Sequence, residues 1–295
     1  MQALGAAALV GVPGASYAVG VEPMRLAVTR YAITPTAPWP AGLTLRIAAL
    51  ADFHACEPWM GVERIRAIVA RTNALEPDIV LLLGDFVAGS KLVDGKVPAE
   101  AWAGALAGLR APLGAHAVLG NHDWWDDPAA LRRDTGRPEA GLALERHGIR
   151  VSENDALRLE KNGRAFWLAG LGDQLAFLPA RRRDRARRMG LDDLPGTMAQ
   201  IPDGAPAILM AHEPDIFPSV PARVALTLCG HTHGGQVRLL GYSPVVPSRF
   251  RNRYAYGHVR EHTDLVVSGG LGCSIVPVRL GMPPEIVLIE LGAAA

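Results

Sequence analysis

The sequence predicts an α/β layer architecture built on parallel strands, and three observations carry that expectation. From residue 45 to residue 119, short apolar runs alternate with a helical period in the order βαβαβ. The runs are continuous, as in "DIVLLLGD", which is the pattern of strands buried on both faces. Each run also stops at a small polar cluster, and open α/β sheets bind ligands outside the carboxyl ends of their strands.

Taken in order, the chain opens on 19 uncharged positions, Ala3 to Val21, rich in Ala, Gly and Val and interrupted by Pro13. That is about the length that crosses a bilayer. It reads either as a membrane anchor or export segment or as a loosely ordered tail. Arg25 and Arg30 follow the run, which would leave the remainder on the cytoplasmic side if it spans. Residues 31–44 are proline-rich and read as an extended linker. This divides the chain into an N-terminal segment and linker, 1–40, and one domain, 41–295. "LRIAALADFH" is the first strand. "GVERIRAIVARTNAL" is the first helix, with Val62, Ile65, Ile68, Val69 and Leu75 on one face. "DIVLLLGD" follows, then a helix from about Pro98 to Arg110, then "AHAVLGNHD". "ALRLEKNGRAFWLAGLGD" reads as a hairpin turning at Asn162-Gly163, a pair suited to a type I′ turn. Residues 172–203 read as an insertion containing "RRRDRARR", six arginines in eight residues. "PAILMAHEP", "VALTLCGHTH", "DLVVSGG" and "EIVLIEL" supply the closing strands.

Composition narrows the function classes. The 295 residues are 49% hydrophobic with net charge +1, so nothing indicates a nucleic-acid partner. Three cysteines without CxxC spacing give neither a disulfide framework nor a thiolate zinc site, and read as buried thiols. The information lies at five strand ends: Asp52-Phe53-His54, Gly84-Asp85, Gly120-Asn121-His122-Asp123, His212, and Gly230-His231-Thr232-His233. Together they bring two carboxylates, an amide oxygen and four imidazoles to one place, with His122 and Asp123 beside them. Each alone is unremarkable in a turn or a core. Buried polar groups need partners, and imidazole with carboxylate suits Mn, Zn or Fe. Seven ligands are too many for one ion, whereas two ions about 3.5–4 Å apart sharing one carboxylate would use them all and suit phosphoester hydrolysis.

At these residues the chain resembles a calcineurin-like metallophosphoesterase. The family pattern is D-x-H, GD, GNH[DE], a single His and GHxH, matched here by "DFH", "GDF", "GNHD", "AHEP" and "GHTH" between Asp52 and His233. "GHTHGGQ", "HEPD" and the closing "SGGLGCSIVPVRLGMPPEIVLIEL" are similar to a bacterial branch whose members often carry an N-terminal membrane or export segment and are described as phosphodiesterases. Some relatives are assigned to the lipid A pathway as UDP-2,3-diacylglucosamine pyrophosphatases. The resemblance implies a four-layer αββα sandwich, two mixed β-sheets flanked by helices. It implies one divalent metal on Asp52, His54, Asp85 and His233 and a second on Asp85, Asn121, His212 and His231. His122 would face the substrate and protonate the leaving oxygen, Asp123 would orient His122, and a hydroxide bridging the metals would attack phosphorus. Arg279 is a candidate phosphate contact, with a structural salt bridge as its other reading.

The implied activity is hydrolysis of a phosphodiester or pyrophosphate bond, on a substrate that the N-terminal run suggests is lipid-linked. A broad phosphomonoesterase and a non-catalytic scaffold are the alternatives. The implied location is the bacterial inner membrane, with the face left open. "RRRDRARR" reads as a solvated helix face, or as a basic lip on anionic lipid preceded by apolar Leu175, Phe177 and Leu178. The branch tends to show two consecutive acidic residues where this chain has Gly172-Asp173. His116, His147, His258 and His262 lack the strand-end context and read as packing or surface residues.

Overall fold

A computed structural model describes residues 14, 16–89, 95–133, 136–177 and 190–293. The first half of the chain runs β1 (Ala27–Ile33), β2 (Leu45–Leu50), α1 (Val62–Asn73), β3 (Ile79–Leu83), α2 (Ala99–Leu106), β4 (Ala115–Val118), α3 (Asn121–Trp125), α4 (Pro128–Arg133), α5 (Glu139–Arg146) and β5 (Arg150–Val151). The second half runs β6 (Asp155–Lys161), β7 (Arg164–Gly170), α6 (Leu194–Ala199), β8 (Ala207–Met210), β9 (Val224–Cys229), β10 (Gly257–Arg260), β11 (Asp264–Val267) and β12 (Glu285–Leu291).

Two six-stranded mixed sheets result, ordered β1-β12-β2-β3-β4-β5 and β10-β11-β9-β8-β7-β6. β2 to β5 are parallel, as are β7, β8, β9 and β11; the antiparallel pairs are β12 with β2, β6 with β7 and β10 with β11. The strand period of two divides the apolar residues between layers. In β2, Leu45, Ile47 and Ala49 pack against the other sheet, alongside Ile208, Met210, Leu226 and Leu228. Ala48 and Leu50 face the opposite way, toward Ile65 and Ile68 of α1, Trp102 of α2 and Leu144 of α5. Leu209, Val224 and Val267 turn outward from the second sheet onto Leu194 and Met198 of α6 and Phe217 of the 3-10 helix Pro214–Ser219. The order of layers is helix, sheet, sheet, helix, as the resemblance implies.

The hairpin turns at Asn162 (φ 52°) and Gly163 (φ 73°), both left-handed, as a type I′ turn requires. Two local expectations differ. The linker at 31–44 begins too early: Tyr31 to Ile33 end β1, an edge strand paired in parallel with β12 from Ala27↔Glu285 to Ile33↔Leu291. The fold therefore takes in residues before 41. β1 is half exposed, so it lacks the unbroken apolar run that marks the central strands. Within the expected insertion, α6 contributes Leu194 and Met198 to the core, while Leu178 and the arginine run lie outside the described residues. Of the uncharged N-terminal run, residues 3–13 and 15 also lie outside them. Among the described residues no helix is long and apolar enough to cross a membrane.

Candidate metal centre

The parallel strands β2, β3, β4, β8 and β9 bring their carboxyl ends to one edge of the sandwich. Five of the side chains there sit on left-handed backbone: Asp52 (φ 56°), His54 (44°), Asp85 (58°), His231 (68°) and His233 (52°). For residues with a Cβ this costs roughly 1–2 kcal/mol each, so the strain is concentrated where side chains must turn back over the strand ends. Glycine permits the closest approaches. A Cβ on Gly84 (φ 90°) would stand 2.6 Å from Gly120 N and 2.7 Å from His212 Nδ1, and one on Gly234 (φ 59°) would stand 2.4 Å from Met282 Sδ.

All seven predicted ligand side chains are buried and arrive together. The ligand atoms of Asp52, His54 and His233 lie within 4.8 Å of one another, and so do those of Asp85, His212 and His231. Asn121 joins the second group, its Oδ1 2.9 Å from His231 Nδ1. His231 and His233 therefore belong to different groups. Asp85 stands between the two: its Oδ2 is 3.6 Å from His54 Nε2 and 3.2 Å from His212 Nε2. Its Oδ1 accepts the His122 N–H at 2.8 Å. Asp52 is fixed by the His231 N–H, 2.9 Å from Oδ1.

The chemistry of this donor set fits divalent cations. His54 Nδ1 faces Val87 O at 3.0 Å and His212 Nδ1 faces Leu83 O at 2.6 Å, so each Nδ1–H donates to a carbonyl and each Nε2 turns a lone pair inward. His212 Nε2 is buried without a hydrogen bond, although Asp85 Oδ2 is near. Burial would lower His212, yet Asp85 raises it well above its ordinary value, so a positive charge is favoured between the two atoms, a place that suits a proton or a shared cation. Burial lowers His54 to about 4, and also lowers His231 and His233, the last pushed further by His54 and Arg279. These imidazoles are neutral at pH 7, the form that ligates metal. Asp85 is held well below its usual range because His212, His122 and His54 outweigh the burial that would raise it.

Aromatic rings prop this floor from the helix side. Phe53 stacks on Phe86 at 6.0 Å and Phe86 on Trp102 at 5.2 Å, so the Asp52–His54 and Asp85 loops rest on a shared column anchored in α2.

His122 lines the cleft above the cluster, its ring 5.1 Å from that of His54. Asp123, however, does not orient it. The Asp123 carboxylate accepts four main-chain N–H groups, from Gly120, Asp85, Phe86 and Val87, at 2.9–3.1 Å. It binds the GD loop to the GNHD turn. Burial and Asp85 push Asp123 up to about 7, but four donors aimed at its oxygens leave no acceptor for a proton, so the carboxylate form is the one that fits. The partner of His122 is Asp126, one helical turn on, with Oδ2 3.6 Å from Nδ1 and Oδ1 bound to Lys96. Its i,i+4 spacing was the available signal in the sequence.

Arg279 is not a phosphate contact either. It is fully buried, and its guanidinium donates to the carbonyls of Gly269, Gly272 and Met282, with Nη2 3.3 Å from His233 Nδ1. It braces the closing loop under His233. Asp173, whose role the sequence left open, is buried with Glu213 behind His212. The remaining histidines have local duties: His116 and His262 meet the carbonyls of Leu113 and Val220, and His147 and His258 meet Glu100 and Asp264. Cys56, Cys229 and Cys273 are free and buried, as expected.

Above the cluster opens a cleft of 720 Å³. Beyond its polar floor the walls are Trp125, Val237, Val245, Ile275, Val276 and Val278 with two prolines, and among the described residues no Lys or Arg lines it.

Comparison with known proteins bears on this geometry. The family model described as calcineurin-like phosphoesterase matches residues 45–235. The chain is 28% identical over 293 residues to an uncharacterized metallophosphoesterase, YkuE, of Bacillus subtilis, covering 98% of this chain and 93% of that protein. It is 30% identical over 257 residues to phosphodiesterase YaeI of Escherichia coli, covering 83% and 82%. A transmembrane protein with metallophosphoesterase domain from Bos taurus is 30% identical over 266 residues, covering 86% of this chain and 54% of that protein.

Proposed function

Since the chain belongs to the calcineurin-like phosphoesterase family and is a metal-dependent phosphoesterase, we propose that it hydrolyses a phosphodiester bond in a lipid-linked substrate at a bacterial inner membrane. The observation that carries the reading is a binuclear ligand set at the floor of a cleft whose walls, among the described residues, are apolar. A diester with an apolar substituent suits such walls. A pyrophosphate such as UDP-2,3-diacylglucosamine would bring a second phosphate, for which the described lining offers no Lys or Arg, so it ranks second. The similarity to a protein named as a phosphodiesterase supports the same order.

In this reading Asp52, His54 and His233 hold one divalent cation, Asn121, His212 and His231 the other, and Asp85 contributes to both. Bound there, Mn, Zn or Fe ions would lower the pKa of water toward about 7 and neutralise charge on the phosphoryl oxygens. The chain's own residues do the rest. Carbonyls of Val87 and Leu83 fix the imidazoles of His54 and His212. His122, with Asp85 and Asp126 raising its pKa against the burial that lowers it, is placed to deliver a proton to the leaving oxygen. Asp126 positions that ring, and Trp125 packs against it at 5.1 Å. With His122 and every ligand in place, turnover is favoured over a scaffold role.

The test is hydrolysis of bis(p-nitrophenyl) phosphate against p-nitrophenyl phosphate by metal-stripped protein refilled with Mn²⁺, with Asp85→Asn as control. Metal-dependent turnover favouring the diester is the expected result. Faster monoester turnover would replace the reading with that of a phosphomonoesterase, and no turnover of either ester by two-metal protein would move the search to lipid-bearing pyrophosphates.

A further inference from the structure

The rim of the cleft carries a surface that the hydrolytic chemistry does not use. Leu239 and Tyr242 pair across a β-bridge, with mutual N–H to carbonyl distances of 2.9 Å, and the chain reverses at Leu240-Gly241. Both turn residues are left-handed, at φ 50° and 82°. Asn or Gly takes the first position of such a turn at little cost, whereas a leucine is strained there. Leu240 is nevertheless fully exposed, so no packing within the chain offsets the strain. Strain without a local return points to function.

The surroundings continue the pattern. Among the described residues, the exposed large apolar side chains other than Leu142 fall in three segments: 19–24, 239–245 and 275–276. These segments are joined. Gln236 donates to the carbonyls of Val276 and Val278, Arg238 N–H to Leu280 O, and Arg279 N–H to Ala18 O. Val245, Ile275 and Val276 also line the cleft, so the apolar rim is continuous with its mouth. Arg249, Arg253 and Arg260 are paired with Asp215, Glu261 and Asp264, so the cation that the tip itself presents is Arg238. At the base of the tip, Arg238 binds Ser243 Oγ and lies 5.6 Å over the Tyr256 ring, with no carboxylate opposite it among the described residues.

We propose that the tip Leu239–Tyr242 inserts into the interfacial layer of an anionic bilayer and, with the rim at 275–276, seats the mouth of the cleft on the lipid surface. Leucines supply apolar area, a tyrosine suits the headgroup level, and Arg238 meets anionic headgroups. The proposal deepens the lipid-linked reading and rests on it for what enters the cleft; vesicle binding itself is read without turnover.

The experiment uses the full chain with phosphatidylcholine vesicles, with and without phosphatidylglycerol. Sedimentation of the wild type should increase with the anionic lipid. Leu240→Gly should raise Tm by relieving the turn, yet weaken partitioning about tenfold through the lost side-chain burial. Leu239→Asp/Leu240→Asp should weaken it further, and Leu142→Asp on α5 should leave it unchanged. Because the native cysteines are buried, an environment-sensitive fluorophore can be placed at Leu240→Cys, where vesicles should shift its emission to the blue, and at Leu142→Cys, where they should not.

Unchanged partitioning in both tip variants, or sedimentation without a blue shift at position 240, would overturn the proposal. So would a concentration-dependent dimer that Leu240→Gly abolishes in a protein that ignores vesicles, which would make the tip a contact between copies. Hydrolysis of bis(p-nitrophenyl) phosphate separates the two readings. Tip variants that keep it while losing vesicles support docking, and a wild type that docks through the tip yet never cleaves a diester retains this proposal while the substrate reading falls.

Discussion

His122 and Arg279 show how differently two residues near one cluster act. His122 touches the cleft and no predicted ligand set includes it, so His122→Asn should keep both metals and lower kcat by about 10²–10⁴ on esters with poor leaving groups. Metal analysis beside steady-state kinetics checks this, and an undiminished rate on such an ester removes His122 from proton transfer. Arg279 acts through its fork. Arg279→Met strands at least three buried carbonyls, each at about 1–3 kcal/mol, and frees the loop under His233. The expected outcome is a Tm lower by about 6 °C or more, with metal lost first from the site of Asp52, His54 and His233. Equal loss from both sites would mean that Arg279 only stabilises the fold. Arg279 had no signal in the sequence for its bracing role, and Asp126 had only its four-residue spacing from His122. The first stands far from the motifs it supports, and the second reads as one acidic residue among several after a helix.

Among the elements, the central strands were legible because burial on both faces leaves unbroken apolar runs, and each motif announces where such a run stops. β1 was not, since "AVTRYAI" is a half-exposed edge whose pairing with β12 spans the whole chain. Nor was the apolar tip at 239–242, because Leu-Leu in a sequence reads as core, and only coordinates place it in solvent. α2 offers a test of how an element supports the site from behind. Trp102 is buried and ends the aromatic column under the Asp52 and Asp85 loops. Trp102→Ala should cost about 3–5 kcal/mol in urea denaturation and weaken affinity for both metals, read by competition with a chromogenic chelator. Stability loss with unchanged metal affinity would show that the column packs the core without tuning the loops.

For the molecule as a whole, the strained ligand backbone and the buried ligand side chains belong to the same balance. Ions that bind only the folded state stabilise it by mass action, about 2.7 kcal/mol per site at a hundredfold excess over Kd. Stripping metal should therefore lower Tm, and refilling should restore it in a concentration-dependent way, as calorimetry would record; Asp85→Asn should show little response to added Mn²⁺. The topology also sets an order of assembly. β12, which follows β1 and β2 by more than two hundred residues, is inserted between them. Until it arrives, one edge of β2 stays open and β1 has no strand to join, so the nascent chain carries unpaired strand edges of the kind chaperones cover. Completion of the sheet is thus timed by the synthesis of β12.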